Sequence, residues 1–255
     1  MYNFDSICFT LTLAFLCWLQ HYRRRNLGYA DVAWVATLWG LSLLSLVTNP
    51  GQPERRLWLA LTVSLWGARL LSHLLVRLAG AEQEERRYQE FRQWLGQPAQ
   101  AKIAAFFGLQ WLLAAGLAWP LAGAGQARQA MPWWEYLCLL LVFVGLAGEA
   151  LADHQLREFR ASQLGPVCDR GLWRYSRHPN YFFEFVLWLG WGLWAVAARG
   201  WWLALSAPGV MLWLLTCVTG IPPAERSSLR RCPEAYRHYQ QTTSPFFPRR
   251  PKCGI

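Results

Sequence analysis

The sequence predicts an all-α, polytopic membrane bundle of about seven transmembrane helices, with the N-terminus outside and the C-terminus cytoplasmic. Three observations carry that prediction. First, the 255 residues are 54% hydrophobic with 17 Trp and only 16% charged, where a soluble domain carries about 25% charge. Second, the charges fall in short blocks, and between them lie apolar runs of roughly 16 to 22 residues, near the length that crosses a bilayer as a helix. Third, basic residues alternate between loops. The segments 22–27, 77–102, 155–180 and 221–255 hold 3, 5, 5 and 7 Lys or Arg, against 2, 1 and 1 in 49–56, 125–132 and 199–200. Positive residues favour the cytoplasmic side, and an error of one span would destroy the bias.

The spans are expected at 6–21, 28–48, 57–76, 103–124, 133–154, 181–198 and 201–220. The first contains SICFTLTLAFLCWL, which has no charged face. Its basic cluster, Arg23, Arg24 and Arg25, follows the apolar run, so a retained helix is expected in place of a signal peptide. The second carries Asp31 near its start, and the third carries Arg69 and His73, which share a helix face at i, i+4. After it, AGAEQEERRYQEFRQWLGQPAQAK (79–102) mixes its charges and reads as an interfacial helix. The fourth span includes Gln110, and the fifth contains YLCLLLVFVGLAG, with Glu149 and Asp153 on one face. The segment 154–184 breaks at Gly165 and Pro166, breaks again at Gly171, and restarts a helix after Pro179, with Asn180 where the helix begins. The sixth span, FVLWLGWGLWAVAA, follows Glu184. After the seventh, the Pro- and Arg-rich end SPFFPRRPKCGI is expected along the membrane surface or disordered. The chain reads as a single membrane domain, 1–255, with 154–184 and 221–255 as cytoplasmic-face segments suited to a cofactor.

A net charge of +10 points to nucleic acid in a soluble protein. Here topology and anionic headgroups explain it, and no zinc-finger, helix–turn–helix or P-loop pattern is present. The seven cysteines (8, 17, 138, 168, 217, 232 and 253) have no CxxC spacing, so free thiols are expected and no metal site.

Ionisable groups inside lipid are expensive and mark either ion pairs or a site. Asp31, Arg69, His73, Glu149 and Glu184 are five of them. Asp31 paired with Arg69 would join two helices; five together favour a polar interior. At the cytoplasmic face Arg170, Arg174 and Arg177 alternate with Trp173 and Tyr175, and His178 follows. Arg226, Arg230 and Arg231 add to them from the tail. Guanidinium forks match phosphate oxygens, and aromatic rings stack on planar groups.

GLWRYSRHPNYFFEFVLWLGWGL (171–193) resembles the C-terminal domain of the steroid 5-alpha-reductase family, most closely the bacterial membrane branch known as DUF1295. WGARLLSHLLVR (66–77), ERRY (85–88) and EAYRHYQQTTSPFFP (234–248) extend the resemblance over about two thirds of the chain. It implies an NADPH-dependent reductase of a carbon–carbon double bond conjugated to a carbonyl, acting in the bacterial inner membrane on a steroid-like or other lipid substrate that enters from the bilayer. By that resemblance Arg170 faces cofactor phosphate or ribose, and Asn180 and Glu184 hydrogen-bond the nicotinamide amide or ribose. Arg69, Tyr175, His178, Tyr181 and Tyr236 complete the cofactor set. Phosphates are expected among Arg170, Arg174, Arg177 and Arg230, whose number suits the extra phosphate of NADPH. A buried, neutral Asp31 is the expected proton donor, with Tyr29 or Tyr88 as alternatives.

The sequence departs from the family pattern in places. Phe183 stands where a small Gly is usual, and the Gln-Glu pair of steroid-reducing members is absent, Asp31 with Tyr29 being the nearest polar candidate. Glu225 and Leu229 replace the His and Tyr of animal steroid reductases. Pro223, Glu225, Leu229, Tyr236 and Tyr239 resemble instead the tail of isoprenylcysteine carboxyl and phospholipid methyltransferases. That alternative implies S-adenosylmethionine held between His178 and Glu225. Asn180 followed by Tyr-Phe-Phe-Glu favours the reductases. A non-enzymatic membrane protein is the third reading, and the retained Asp31, Arg69, Asn180 and Glu184 argue against it.

Overall fold

A computed structural model of the chain describes residues 2–81, 83–96 and 99–252, with the backbone alone at 99, 197–199 and 201. Parts of the expected interfacial segment (Glu82, Gln97, Pro98) and the tail end with Cys253 lie outside the described residues. The described residues are helical throughout, with no strand among them. In chain order the helices are α1 (Phe4–Arg24), α2 (Tyr29–Thr48), α3 (Pro53–Ala79), α4 (Arg86–Leu95), α5 (Ala99–Ala124), α6 (Trp133–Ser162), α7 (Pro179–Arg199), α8 (Trp201–Trp213), α9 (Ile221–Arg231) and α10 (Pro233–Thr242). One 3-10 turn, Gly171–Arg174, precedes α7, and one π turn, Leu214–Val218, joins α8 to α9.

Six runs among the described residues are long and apolar enough to cross a membrane: α1, α2, α3, Gln100–Ala124, α6 and Trp202–Arg231. The chain is thus a multi-pass membrane protein by length and composition. The sequence predicts seven spans; α7, the sixth of them, is 21 residues long but is not one of these six. The segment expected to hold an interfacial helix contains a helix, α4. The six described cysteines are free thiols.

The helices group into two compact units. One comprises Met1–Pro132 with Ala195–Ala207, the other Trp133–Trp194 with Pro208–Ile255. In the first unit α2 packs against α1, α3 and α5. The Asn3 side chain caps α1 by accepting from the Ser6 amide at 2.9 Å. Pro53 opens α3, where its missing N–H costs nothing, and the Gln52 side chain accepts from the Arg55 amide at 2.6 Å. Arg55, buried, closes this end of the unit by donating to the carbonyls of Ala127 and Gln129, each at 2.9 Å. Gly67 lets α3 approach the indole of Trp39 on α2, where a Cβ would lie 2.7 Å from the ring.

In the second unit α6 and α7 pack through small residues, the usual device where lipid removes the hydrophobic drive between helices. A Cβ on Gly145 would stand 2.6 to 2.8 Å from the Cβ, amide nitrogen and Cα of Leu187, and Gly148 receives the ring of Phe183. The large Phe183 thus fills room that Gly148 leaves. At the far end of the pair the Trp194 indole donates to the buried Glu135 at 2.7 Å. Because backbone atoms stand in the way, Gly145→Ala is expected to destabilise by about 1–3 kcal/mol. Thermal unfolding in detergent reads this, and an unchanged midpoint would mean that α6 and α7 are not held this closely.

Candidate functional site

The second unit gathers most of the sequence-predicted residues at the start of α7. The chain reaches that point through two devices. Gly171 adopts φ 56, a left-handed conformation that favours glycine. The side chain of Gln155 occupies the space where a Cβ would be, and its Oε1 accepts from the Leu172 amide at 2.9 Å. The indole of Trp173 then donates to the Ala152 carbonyl at 2.9 Å, pinning the turn to α6. Pro179 opens α7 immediately afterwards.

Arg177 and His178 precede that proline, and both are buried. Arg177 donates to Glu225 from Nε at 2.8 Å, and its Nη2 lies 2.7 Å from the same carboxylate. Its Nη1 donates to the carbonyls of Gln240 at 3.1 Å and Thr243 at 2.6 Å, and its amide donates to the Ser244 carbonyl at 2.8 Å. Gln240 donates to the other oxygen of Glu225 at 2.8 Å. The imidazole of His178 stands 3.4 Å from Glu225 and stacks on Tyr181 at 5.4 Å between centroids, 7° from parallel. Burial lowers the pKa of His178, and the Glu225 hydrogen bond and charge only partly oppose that. Tyr236, buried in α10, is pushed up to about 12, first by burial and then by the charge of Glu225, so it keeps its proton.

Glu225 reaches this network because the helix before it is interrupted. The π turn at Leu214–Val218 and the bend at Gly220, where a Cβ would run into the Leu215 backbone, restart the chain as α9. Such π insertions often accompany functional positions.

The described part of the tail is ordered, against the expectation that it could be disordered. Residues 243–252 form a strap over 175–177. Ser176 Oγ donates to the Phe246 carbonyl at 2.8 Å, the Arg249 amide to the Tyr175 carbonyl at 2.9 Å, and the Lys252 amide to the Thr242 carbonyl at 2.9 Å. The Tyr239 hydroxyl donates to the Trp173 carbonyl beneath it.

One turn into α7 the surroundings change. Asn180 donates to Asp153 on α6 at 3.3 Å, and its own Oδ1 accepts from the Tyr181 amide at 3.0 Å. Glu184, buried one turn further on, accepts from the Trp188 indole at 2.9 Å. Arg170, Arg174, Tyr175 and Arg230 are exposed. The predicted cofactor set therefore divides by environment. Arg177, His178, Glu225 and Tyr236 form an internal network, Asn180, Tyr181 and Glu184 line the start of α7, and Arg170, Arg174 and Arg230 present guanidiniums outward.

The remaining predicted residues belong to the first unit. Asp31 does not pair with Arg69. It pairs with Arg77, two turns further along α3, at 3.1 Å and with Arg87 of α4 at 2.5 Å, and it accepts from the Tyr88 hydroxyl at 2.5 Å. Glu85 joins the same cluster through Arg77 at 2.8 Å and Arg87 at 2.9 Å. Asp31 is thus surrounded by guanidiniums in place of the apolar pocket expected for a neutral acid. Burial and the neighbouring Asp31 hold Tyr88 well above the ordinary phenol range, so its hydroxyl stays a donor. Tyr29 is half-buried and packs against an apolar cluster that includes Leu27, Ala30 and Phe107. Arg69 is half-buried on α3.

Sequence reading missed Gln155, Gln240 and the tail carbonyls. A carbonyl acceptor has no residue signature, which explains the last. Gln240 stands four residues after Tyr236, on the same face of α10, a spacing that does point to it.

A family profile described as "Protein of unknown function (DUF1295)" matches residues 17–243, a range that includes every charged residue of both clusters. No curated protein and no solved structure gives a match.

Proposed function

The chain belongs to the DUF1295 family, and from that premise we propose an NADPH-dependent reductase of a carbon–carbon double bond conjugated to a carbonyl, in a steroid-like or other lipid substrate. The observation that carries the reading is the placement of Asn180 and the buried Glu184 one turn apart on α7, together with exposed guanidiniums at Arg170 and Arg174. An amide and a carboxylate suit the carboxamide and ribose hydroxyls of a nicotinamide nucleotide. Outward guanidiniums suit its phosphates.

Phosphate binding falls to Arg170, Arg174 and Arg230, because Arg177 spends its donors on Glu225 and two carbonyls. NADPH held by these residues would supply the hydride for the β carbon of the enone. The α carbon takes a proton, and a protein donor polarises the carbonyl as charge develops on its oxygen.

The methyltransferase alternative needs Glu225 for a cationic methyl donor. Both oxygens of Glu225 already accept from Arg177 and Gln240, which favours the reductase.

Thermal unfolding of the detergent-solubilised protein with NADPH, NADH or S-adenosylmethionine tests the reading. At about a hundredfold over its dissociation constant, a ligand adds roughly 2.7 kcal/mol of stability. The expected result is a shift with NADPH. A shift with S-adenosylmethionine alone would replace the proposal with lipid or prenylcysteine methylation, and no shift with any ligand, in protein shown to be folded, would leave a function independent of these cofactors.

A further inference from the structure

At the end of the first unit away from Asp31 lies a cavity of about 310 Å³, lined by Tyr2, Ala115, Gly116, Trp119, Pro120, Leu203 and Ser206. Pro120 sits inside α5. It has no N–H to offer the Gly116 carbonyl one turn before it. A Cβ added to Gly116 meets nothing within 4 Å, so this residue faces open space. The neighbouring Ala115 carbonyl accepts from the Tyr2 hydroxyl at 2.7 Å, which fixes the Tyr2 ring edge-on to Trp119 at 5.6 Å. The feature therefore combines a freed carbonyl, the Ser206 hydroxyl and two aromatic rings in one recess.

We propose that this recess binds the ammonium headgroup of an aminophospholipid. Three considerations select that occupant. A carbonyl without its helix donor asks for a donor, and an ammonium offers three. Aromatic faces attract a cation. Its residues also stand at the ends of apolar runs, where Trp and Tyr mark the depth of lipid headgroups. A quaternary choline headgroup keeps the charge but has no proton to donate, so the site separates the two lipids by hydrogen bonding.

The full-length chain is placed in nanodiscs of phosphatidylglycerol with equal phosphatidylethanolamine and phosphatidylcholine, released into detergent, and weighed with its retained lipids by native mass spectrometry. Wild type is expected to retain phosphatidylethanolamine over phosphatidylcholine by about tenfold, the scale of one charge-assisted hydrogen bond. Pro120→Ala restores the helix donor and should keep the fold while bringing that ratio close to one. Gly116→Leu fills the recess and should reduce retention of both lipids. Thermal unfolding of each variant establishes that it is folded. Equal retention of the two lipids by wild type, or selectivity that survives Pro120→Ala, would overturn the proposal.

Discussion

Arg177→Ala is expected to destabilise the protein by about 3–5 kcal/mol, because removing one partner of a buried ion pair strands the other. The guanidinium is buried and makes four contacts to three acceptors: two to one oxygen of Glu225, one to the Gln240 carbonyl and one to the Thr243 carbonyl. Its loss leaves Glu225 without its counter-charge and two carbonyls without their side-chain donor, and it loosens the strap at 243–252, which then rests on the Ser176 hydroxyl and the backbone bonds at Ser244 and Arg249. Lysine is a poor substitute, since a single ammonium cannot span a fork of this geometry. Thermal unfolding in mild detergent measures the loss, and limited proteolysis reads the strap directly. A variant that unfolds like wild type, with its tail still protected, would show that Arg177 is not the tie between these segments. Glu225→Gln is the companion: it keeps the shape and one acceptor oxygen but removes the charge, and a smaller loss is expected from it.

The second large effect concerns ligand binding. Asn180→Ala combined with Glu184→Gln is expected to abolish the NADPH-induced stabilisation of roughly 2.7 kcal/mol expected at a hundredfold ligand excess. Both changes fall on the first turns of α7. Neither touches the Arg177–Glu225 network, so the apo protein should unfold near the wild-type temperature. The Asn180 change removes the long hydrogen bond to Asp153, at 3.3 Å, and the local one from the Tyr181 amide, at 3.0 Å. The Glu184 change keeps an oxygen for the Trp188 indole. Full NADPH stabilisation in the double variant would remove α7 from the cofactor site. Loss of stabilisation together with a large drop in apo stability would mark these residues as structural.

The two results bear on different parts of the same segment. RHPN (177–180) reads in sequence as one motif, with adjacent polar residues facing one site. In the folded protein the motif divides at Pro179. Arg177 and His178 turn toward α9, α10 and the strap, whereas Asn180 turns toward α6. A proline between them allows this, because the residue before it is held out of the helix that begins there.

The sequence by itself determined the helical membrane class, the helix α4, the breaks around Gly171 and Pro179, and the residue types around α7. These follow from local quantities: run length, charge blocks, and the backbone limits of Gly and Pro. Pairing across distance was decided only by the tertiary structure. Asp31 joins Arg77 and Arg87 and not Arg69. Arg177 serves Glu225 and not the exterior. The polar tail binds as a strap through backbone carbonyls. The physical reason is common to all three. A buried charge takes whichever counter-charge packing brings within a few ångströms, and a backbone acceptor is carried by every residue alike, so neither choice is written in local spacing.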